Sequence, residues 1–383
     1  MSVTFPAGFR AAGVAAGIKR SGALDVALVV NDGPKRSAAG VFTTNRVEAA
    51  PVTWSRQALD DGQASAVVLN SGCANACTGS QGPQDVKATA DHLAGRLGCT
   101  SSDVIVCSTG MIGELLPLSV LLSGIDAAVS SLGAGGGPAA AEAIMTTDTV
   151  AKQAHCSEGG WSVGGMAKGA GMLAPGLATM LVVLTTDAQV DAPGLGCALR
   201  EATRRTFDRL DSDGCMSTND SVVLLASGAS GIEPSMQDLS RALFEVCSDL
   251  ARQLIADAEG ARHDIAITVE HAASESEATE VARAVARSNL FKCAVFGEDP
   301  NWGRIVAEVG TTRATFDPDD LDISINGVQV CRGCAPGESR TEVDMSLREV
   351  TVLIDLKAGS AESTVWTNDL THDYVHENAV YST

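Results

Sequence analysis

At 383 residues the chain is too long for one small core, so one large domain or two closely packed ones are expected. A net charge of −20, with no block of Lys or Arg, repels phosphate backbones and anionic lipid, which argues against nucleic-acid and membrane-surface binding. Hydrophobic residues make up 45% but aromatic ones only 4%, alongside 39 glycines, so the expected core is filled by Val, Leu, Ile and Ala between closely approaching backbones.

The N-terminus lacks a basic stretch followed by an unbroken apolar one, and no apolar run approaches the ~18 residues of a membrane span. A cytoplasmic protein is expected. Its eleven cysteines then read as reduced, buried small hydrophobes. The pairs Cys331/Cys334 and Cys73/Cys77 lack the second pair or nearby His that zinc requires, so no metal site is expected.

In chain order, ALDVALVVNDG (23–33), AAGVFTTN (38–45), AVVLNSGCANA (66–76) and DVIVCSTGMIG (103–113) are short apolar runs ended by Asn, Gly or Ser, as strands are. Residues 84–97 have helical spacing and stop at Gly98; 116–132 form a second helix beginning near Pro117. The glycines of SLGAGGGP (131–138) follow a helix rather than a strand and lack GK[ST], so they read as a loop entering a helix over 138–145, not as a phosphate loop. Helical patterns follow at 194–208, 238–258 and 279–288. Strand patterns occur in SVVLLASG (221–228), HDIAITVEHAA (263–273), LDISINGVQV (321–330), EVTVLIDL (349–356) and STVWTND (363–369). The order is mixed and has no repeat, which gives an α/β or α+β class. The only candidate division lies at Ala178-Thr179.

That step sits in GMLAPGLATMLVVLTTDA (171–188), where small residues lead to Thr179 at the mouth of a buried apolar strand. A Thr hydroxyl needs a base. None of the six histidines neighbours Thr179, and neither a GxSxG elbow nor an HxxE signature is present, so a His-based triad is disfavoured. If the Ala178-Thr179 bond is cut, Thr179 becomes a chain terminus. Its α-amine, with a pKa of about 7.7–8, can then serve its own hydroxyl as base. The residues alone leave open a plain buried strand Thr, or a role for Thr185 or Thr186.

GGMAKGAGMLAPGLATMLVVLTTDA closely resembles the self-cleavage segment of the ornithine acetyltransferase family, the enzymes that recycle acetyl groups in arginine synthesis. LNSGCANACTG (69–79), STGMIGELLP (108–117), IMTTDTVAK (144–152), DSDGCMSTNDSV (211–222), FGEDPNWGRIVAEVG (296–310) and the tail ENAVYST (377–383) resemble family segments in family order, covering nearly the whole chain.

The resemblance implies an N-terminal-nucleophile-like mixed α/β fold, with two layered sheets flanked by helices. It implies cleavage at Ala178-Thr179 into an α fragment, 1–178, and a β fragment, 179–383, assembled as an α₂β₂ heterotetramer. Thr179 is then the acetyl-accepting nucleophile, and Thr109 with Gly110 the oxyanion hole. Thr146, Lys168, Thr179, Glu259, Asn378 and Thr383 would contact substrate: Lys168 a carboxylate, Glu259 an ammonium. The implied reaction moves acetyl from N2-acetylornithine to glutamate by a ping-pong route through an acetyl-Thr179 ester, with no cofactor or metal. Acetyl-CoA as an alternative donor is left open.

DPNWGR (299–304) reads as turn chemistry with Trp302 as a core anchor, and Ser217 to Asp220 as shaping the cavity from behind. The chain departs from the family pattern at Cys73, Leu177 and Cys293, where Asn, Met and Thr are usual. Competing readings are a self-cleaving amidohydrolase or aminopeptidase, an acyltransferase of secondary metabolism, and a non-catalytic assembly protein with Thr179 in its core.

Overall fold

The structure, a computed structural model, describes residues 2–174 and 180–380. Two compact units emerge. Unit 1 is made of residues up to Asp208 with Cys215–Asp257, and unit 2 of Arg209–Gly214 with the chain from Ala258. The fragment boundary expected at Ala178-Thr179 lies outside the described residues.

Unit 1 runs β1 (Phe9–Val14), β2 (Val26–Asn31), β3 (Ser37–Phe42), α1 (Ala50–Ala58), β4 (Ala66–Cys73), α2 (Gln81–Leu97), β5 (Val104–Met111), α3 (Leu118–Ser130) and α4 (Gly137–Ala143). It continues with β6 (Lys152–Glu158), β7 (Trp161–Lys168), β8 (Leu181–Thr186), α5 (Ala192–Arg205), β9 (Ser221–Ala226) and α6 (Met236–Ala256). Its strands form a sheet of order β1-β2-β4-β5 and a second of order β3-β9-β8-β7-β6.

Alternation along the strands decides how these sheets stack. Ala27, Val29, Val67, Leu69, Ile105 and Cys107 of the first sheet share one buried cluster with Met166, Leu181, Val183, Val223 and Leu225 of the second. The intervening residues Val26, Leu28, Val68, Val104 and Val106 turn the other way, onto Val86, Ala90 and Leu93 of α2 and Leu121 and Ile125 of α3. Those helical residues recur every three or four positions, the period that puts them on one face. On the far face of the second sheet, Gly165 of β7 packs under Val246 and Leu250 of α6. Two layered sheets flanked by helices, as expected, describe unit 1.

Unit 2 carries a third sheet that the expectation did not include. It comprises β10 (Asp264–Ala272), α7 (Glu275–Ala286), α8 (Asn289–Phe296), α9 (Trp302–Val309), β11 (Asp322–Ile325), β12 (Val328–Arg332), β13 (Ala335–Pro336), β14 (Glu349–Asp355), β15 (Ala361–Asn368) and α10 (His372–Val380). The sheet order is β13-β12-β11-β14-β10-β15, with helix residues Val281, Val285 and Phe291 packed on Ile265, Ile267 and Val365.

The helix of residues 84–97 does end at Gly98, whose left-handed φ of 72° closes it as a C-cap. DPNWGR is the entry to α9 rather than a free turn, and Trp302 is half-buried against the unit 2 core. Burial of the cysteines holds only for Cys73, Cys107, Cys247 and Cys331. Cys77, Cys197, Cys215 and Cys293 are exposed, and none is disulfide-bonded. Among the described residues no helix is long and apolar enough to cross a membrane.

Leu28 is fully buried between sheet and helices, whereas Leu347 is 67% exposed. Leu28→Ala should cost ~2–5 kcal/mol of unfolding free energy and Leu347→Ala less than ~0.5 kcal/mol, read from urea midpoints.

Candidate active site

The ends of β4 and β5 come closer than side chains allow. These parallel strands are in register from Ala66↔Val104 to Gly72↔Gly110, where the register shifts so that Cys73 faces both Thr109 and Met111. Gly110 has φ +127°, and a Cβ there would lie 2.4 Å from the Gly72 carbonyl carbon and 2.6 Å from Cys73 N. Only glycine fits both the angle and the space. Thr109 beside it is buried.

Two asparagines lock this turn. Asn70 accepts from the Ser108 hydroxyl at 2.6 Å and donates to Cys73 O at 2.9 Å. Asn219 donates to Ser108 O at 2.8 Å and to Ala74 O at 2.7 Å. Ser217 to Asp220, read from the sequence as shaping the cavity, are thus buried connectors just before β9. Cys73 contributes to the sheet–helix core, and burial pushes its thiol pKa up, so its side chain acts as a small apolar filler.

Asp220 ties the same turn to the chain leaving Thr179. Its Oδ1 accepts from the Met180 N–H at 3.0 Å, while its buried Oδ2 has no hydrogen-bond partner among the described residues. Ser221 N donates in turn to Met180 O at 3.1 Å, in line with the parallel β8–β9 pairing. Burial pushes the Asp220 carboxyl well above the usual carboxylate range, against the lowering effect of the Met180 N–H, the Lys168 charge and the Ser217 hydroxyl.

Lys168 ends β7 in a fully buried position, with Nζ 3.4 Å from the Thr109 hydroxyl. Thr146 lies in the segment between α4 and β6, and its N–H donates to Asp148 Oδ2 at 2.9 Å. Asp148 Oδ1 accepts from Gly169 N, the residue after Lys168, at 2.6 Å. Burial alone would raise the Asp148 carboxyl pKa, but the ammonium groups of Lys168 and Lys152 bring it below its ordinary value. The structure therefore links Thr109, Gly110, Thr146 and Lys168 through shared contacts, with Thr109 and Lys168 buried and Gly110 and Thr146 half-buried. Sequence reasoning missed Asp148 and Asn70, and treated Asp220 as background. The available signal was an acidic residue set four positions before a lysine inside a threonine-rich segment.

In unit 2, Asn378 Nδ2 donates to Glu259 Oε2 at 3.0 Å. The tail that carries it is helix α10, anchored where the Thr371 hydroxyl donates to Gly260 O at 2.6 Å and accepts from Tyr374 N at 2.9 Å. Glu259 lines a polar cavity of about 300 Å³ with Asp213, Lys292, Asn368 and Tyr374. Ala178, Thr179 and Thr383 lie outside the described residues. Among the described residues, one set could hold a metal ion, Glu270, His271 and Asp355 on β10 and β14; it includes none of the predicted site residues.

Comparison with known proteins fixes the family. The profile of the ArgJ family matches residues 10–383. The chain is 62% identical over 383 residues to an "Arginine biosynthesis bifunctional protein ArgJ" of Thermobifida fusca, covering 100% of each. The chain belongs to the ArgJ family. A second ArgJ relative, from Streptomyces coelicolor, is 60% identical over 382 residues, again covering 100% of each. Among solved structures, an ornithine acetyltransferase from Mycobacterium tuberculosis, complexed with ornithine, is 55% identical. That match covers 47% of this chain and 96% of the other, at a TM-score of 0.45.

The Asp220 environment predicts a pH dependence. Its folded-state pKa lies above the unfolded value, so its contribution to stability is fully present below the unfolded pKa and is lost as pH rises through the folded one. Asp220→Asn keeps an acceptor for Met180 N–H without the charge. The variant should therefore gain on wild type in urea midpoint as pH rises from ~4 towards neutral. A difference that is flat across this range would contradict the assignment.

Proposed function

We propose that this ArgJ-family chain is a glutamate N-acetyltransferase of arginine biosynthesis that works through Thr179. The supporting observation is one run of contacts: Ser108 O bonds to Asn219, the adjacent Asp220 takes the Met180 N–H, and Met180 directly follows Thr179. The Thr109-Gly110 turn and the chain leaving the nucleophile are thus joined through two consecutive side chains.

In the precursor, the Thr179 hydroxyl attacks the Ala178 carbonyl carbon. The C–N bond breaks as the C–O bond forms, and water hydrolyses the resulting ester, leaving the Ala178 carboxylate and a free Thr179 α-amine. An α-amine has an unperturbed pKa of about 7.7–8, so this amine takes the hydroxyl proton in each later turnover. Oγ then attacks the acetyl carbonyl of N2-acetylornithine, and the Thr109 hydroxyl and Gly110 N–H stabilise the oxyanion. Ornithine departs with the proton. The glutamate amine attacks the acetyl-Thr179 ester, releasing N-acetylglutamate and restoring the hydroxyl.

Thr146 and Lys168 meet a substrate carboxylate and Glu259 a substrate ammonium, and Asn378 and Thr383 are further substrate contacts carried over from the family resemblance. The ester conserves the acetyl-transfer potential, so the exchange uses no resident cofactor or metal. The relatives are called bifunctional, which supports acetyl-CoA as a second acetyl donor for glutamate.

Cleavage leaves the fragments interleaved. Fragment 1–178 supplies β3, β6 and β7 and fragment 179–383 supplies β8 and β9 to one five-stranded sheet, through the antiparallel β3–β9 and β7–β8 ladders. Shared burial and ladder hydrogen bonds favour the two fragments staying together, and the family resemblance is what supports an α₂β₂ assembly in the cytoplasm.

Denaturing intact-mass measurement tests the proposal first. Wild type should give fragments 1–178 and 179–383, and Thr179→Ala one chain. With acetylornithine as the donor, turnover of the matured enzyme should then require glutamate, with parallel-line ping-pong kinetics. Uncleaved wild type, or glutamate-independent hydrolysis, would overturn it.

A further inference from the structure

The segment between α4 and β6 carries Thr146 and is pinned by two carboxylates that share one buried ammonium. Lys152, the first residue of β6, is fully buried. Its Nζ donates to Asp148 Oδ1 at 2.6 Å, to Asp257 Oδ2 at 2.5 Å and to Val150 O at 3.4 Å, which accounts for all three of its protons. Asp257, at the C-cap of α6, also takes Thr149 N at 3.0 Å and the Thr149 hydroxyl. Asp148 takes Thr146 N on one oxygen and Gly169 N on the other.

Buried ion pairs add little stability over apolar residues of equal volume, because desolvation offsets the attraction. A stability role therefore explains this arrangement poorly. Its geometry does something more specific. One carboxylate grips the backbone at Thr146 and immediately after Lys168, and Lys152 balances that carboxylate at Oδ1, the oxygen that takes Gly169 N.

We propose that Asp148 and Lys152 are positioning residues that set the carboxylate end of the donor site, holding Thr146 and Lys168 in register so that the enzyme selects an acyl donor bearing an α-carboxylate. This rests on the reading of Thr146 and Lys168 as carboxylate-binding residues given under the proposed function. An Asn at 148 offers one acceptor oxygen and an NH₂ in place of the second, so one of the two backbone N–H groups would face a donor. A Met at 152 keeps volume but leaves two carboxylates without their shared cation, and draws the Lys168 ammonium towards Asp148.

The test compares two donors on matured enzyme: N2-acetylornithine, and N-acetylputrescine, the same molecule without its carboxylate. Asp148→Asn and Lys152→Met should each lower kcat/KM for acetylornithine ~10–100-fold, chiefly through KM, and leave acetylputrescine little changed. A loss of architecture would depress both donors together, and that result, or no loss at all, overturns the proposal.

Lys168→Met separates this inference from its premise. If Lys168→Met leaves the donor ratio unchanged, the carboxylate reading fails and the inference falls with it. If Lys168→Met collapses the ratio while the Asp148 and Lys152 variants preserve it, the positioning role alone is overturned. Should either single variant fail to fold, Asp148→Asn/Lys152→Met, which removes both charges together, takes its place. Its donor ratio should still fall, and an unchanged ratio overturns the proposal.

Discussion

The mutual burial of two apolar sheet faces in unit 1 is the constraint on which everything else rests. Val29, Leu69 and Ile105 on one sheet and Val183, Val223 and Leu225 on the other leave water only by facing each other. A one-residue slip in any of these strands would turn its apolar set outward, so each register is held firmly. Fixed registers fix strand ends. The end of β5, the end of β7 and the beginnings of β8 and β9 therefore carry Thr109-Gly110, Lys168, Met180 and Asp220 with little freedom to move apart. The strong signal from the core in this way becomes precision at polar groups that contribute little to folding themselves.

Charge in this region is governed by burial and by who answers it. Asp148 and Asp220 are both buried carboxyl groups near Lys168, yet their proton affinities move in opposite directions. Asp148 has two ammonium groups and two backbone N–H donors, enough to hold it ionised against desolvation. Asp220 is answered by the Met180 N–H, the Lys168 charge and the Ser217 hydroxyl, its Oδ2 has no hydrogen-bond partner within normal distance among the described residues, and desolvation wins. Two residues of the same type thus have proton affinities moved in opposite directions within one site, as neighbouring groups with opposed environments commonly do.

Much of the architecture was legible beforehand because local chemistry and final burial agree in those segments. The β-branched runs of β2, β4, β5, β8 and β9 are buried throughout or nearly so, and such runs can be read without knowing their partners. The β6–β7 hairpin, β1 and α10 were not seen. In β7 every residue is buried but three of the eight are Gly, Gly and Ala, and in α10 none is buried, so neither shows a periodic apolar face. The exposed cysteines were misjudged because residue type predicts average burial and not individual position.

From the sequence by itself come the strand-rich mixed class, the Thr179 step and the family-like segments that single out Thr109, Gly110, Thr146, Lys168, Glu259 and Asn378. These are properties of contiguous residues, and contiguous residues are what a sequence displays. Only the tertiary structure decided that Asp148 joins Thr146 to the residue after Lys168, that Asn219 and Asp220 link the Thr109 turn to Met180, and that Asn378 meets Glu259 across 119 positions. Such pairings are set by sheet register and by the need of buried polar groups for partners, and neither leaves a mark on neighbouring letters of the chain.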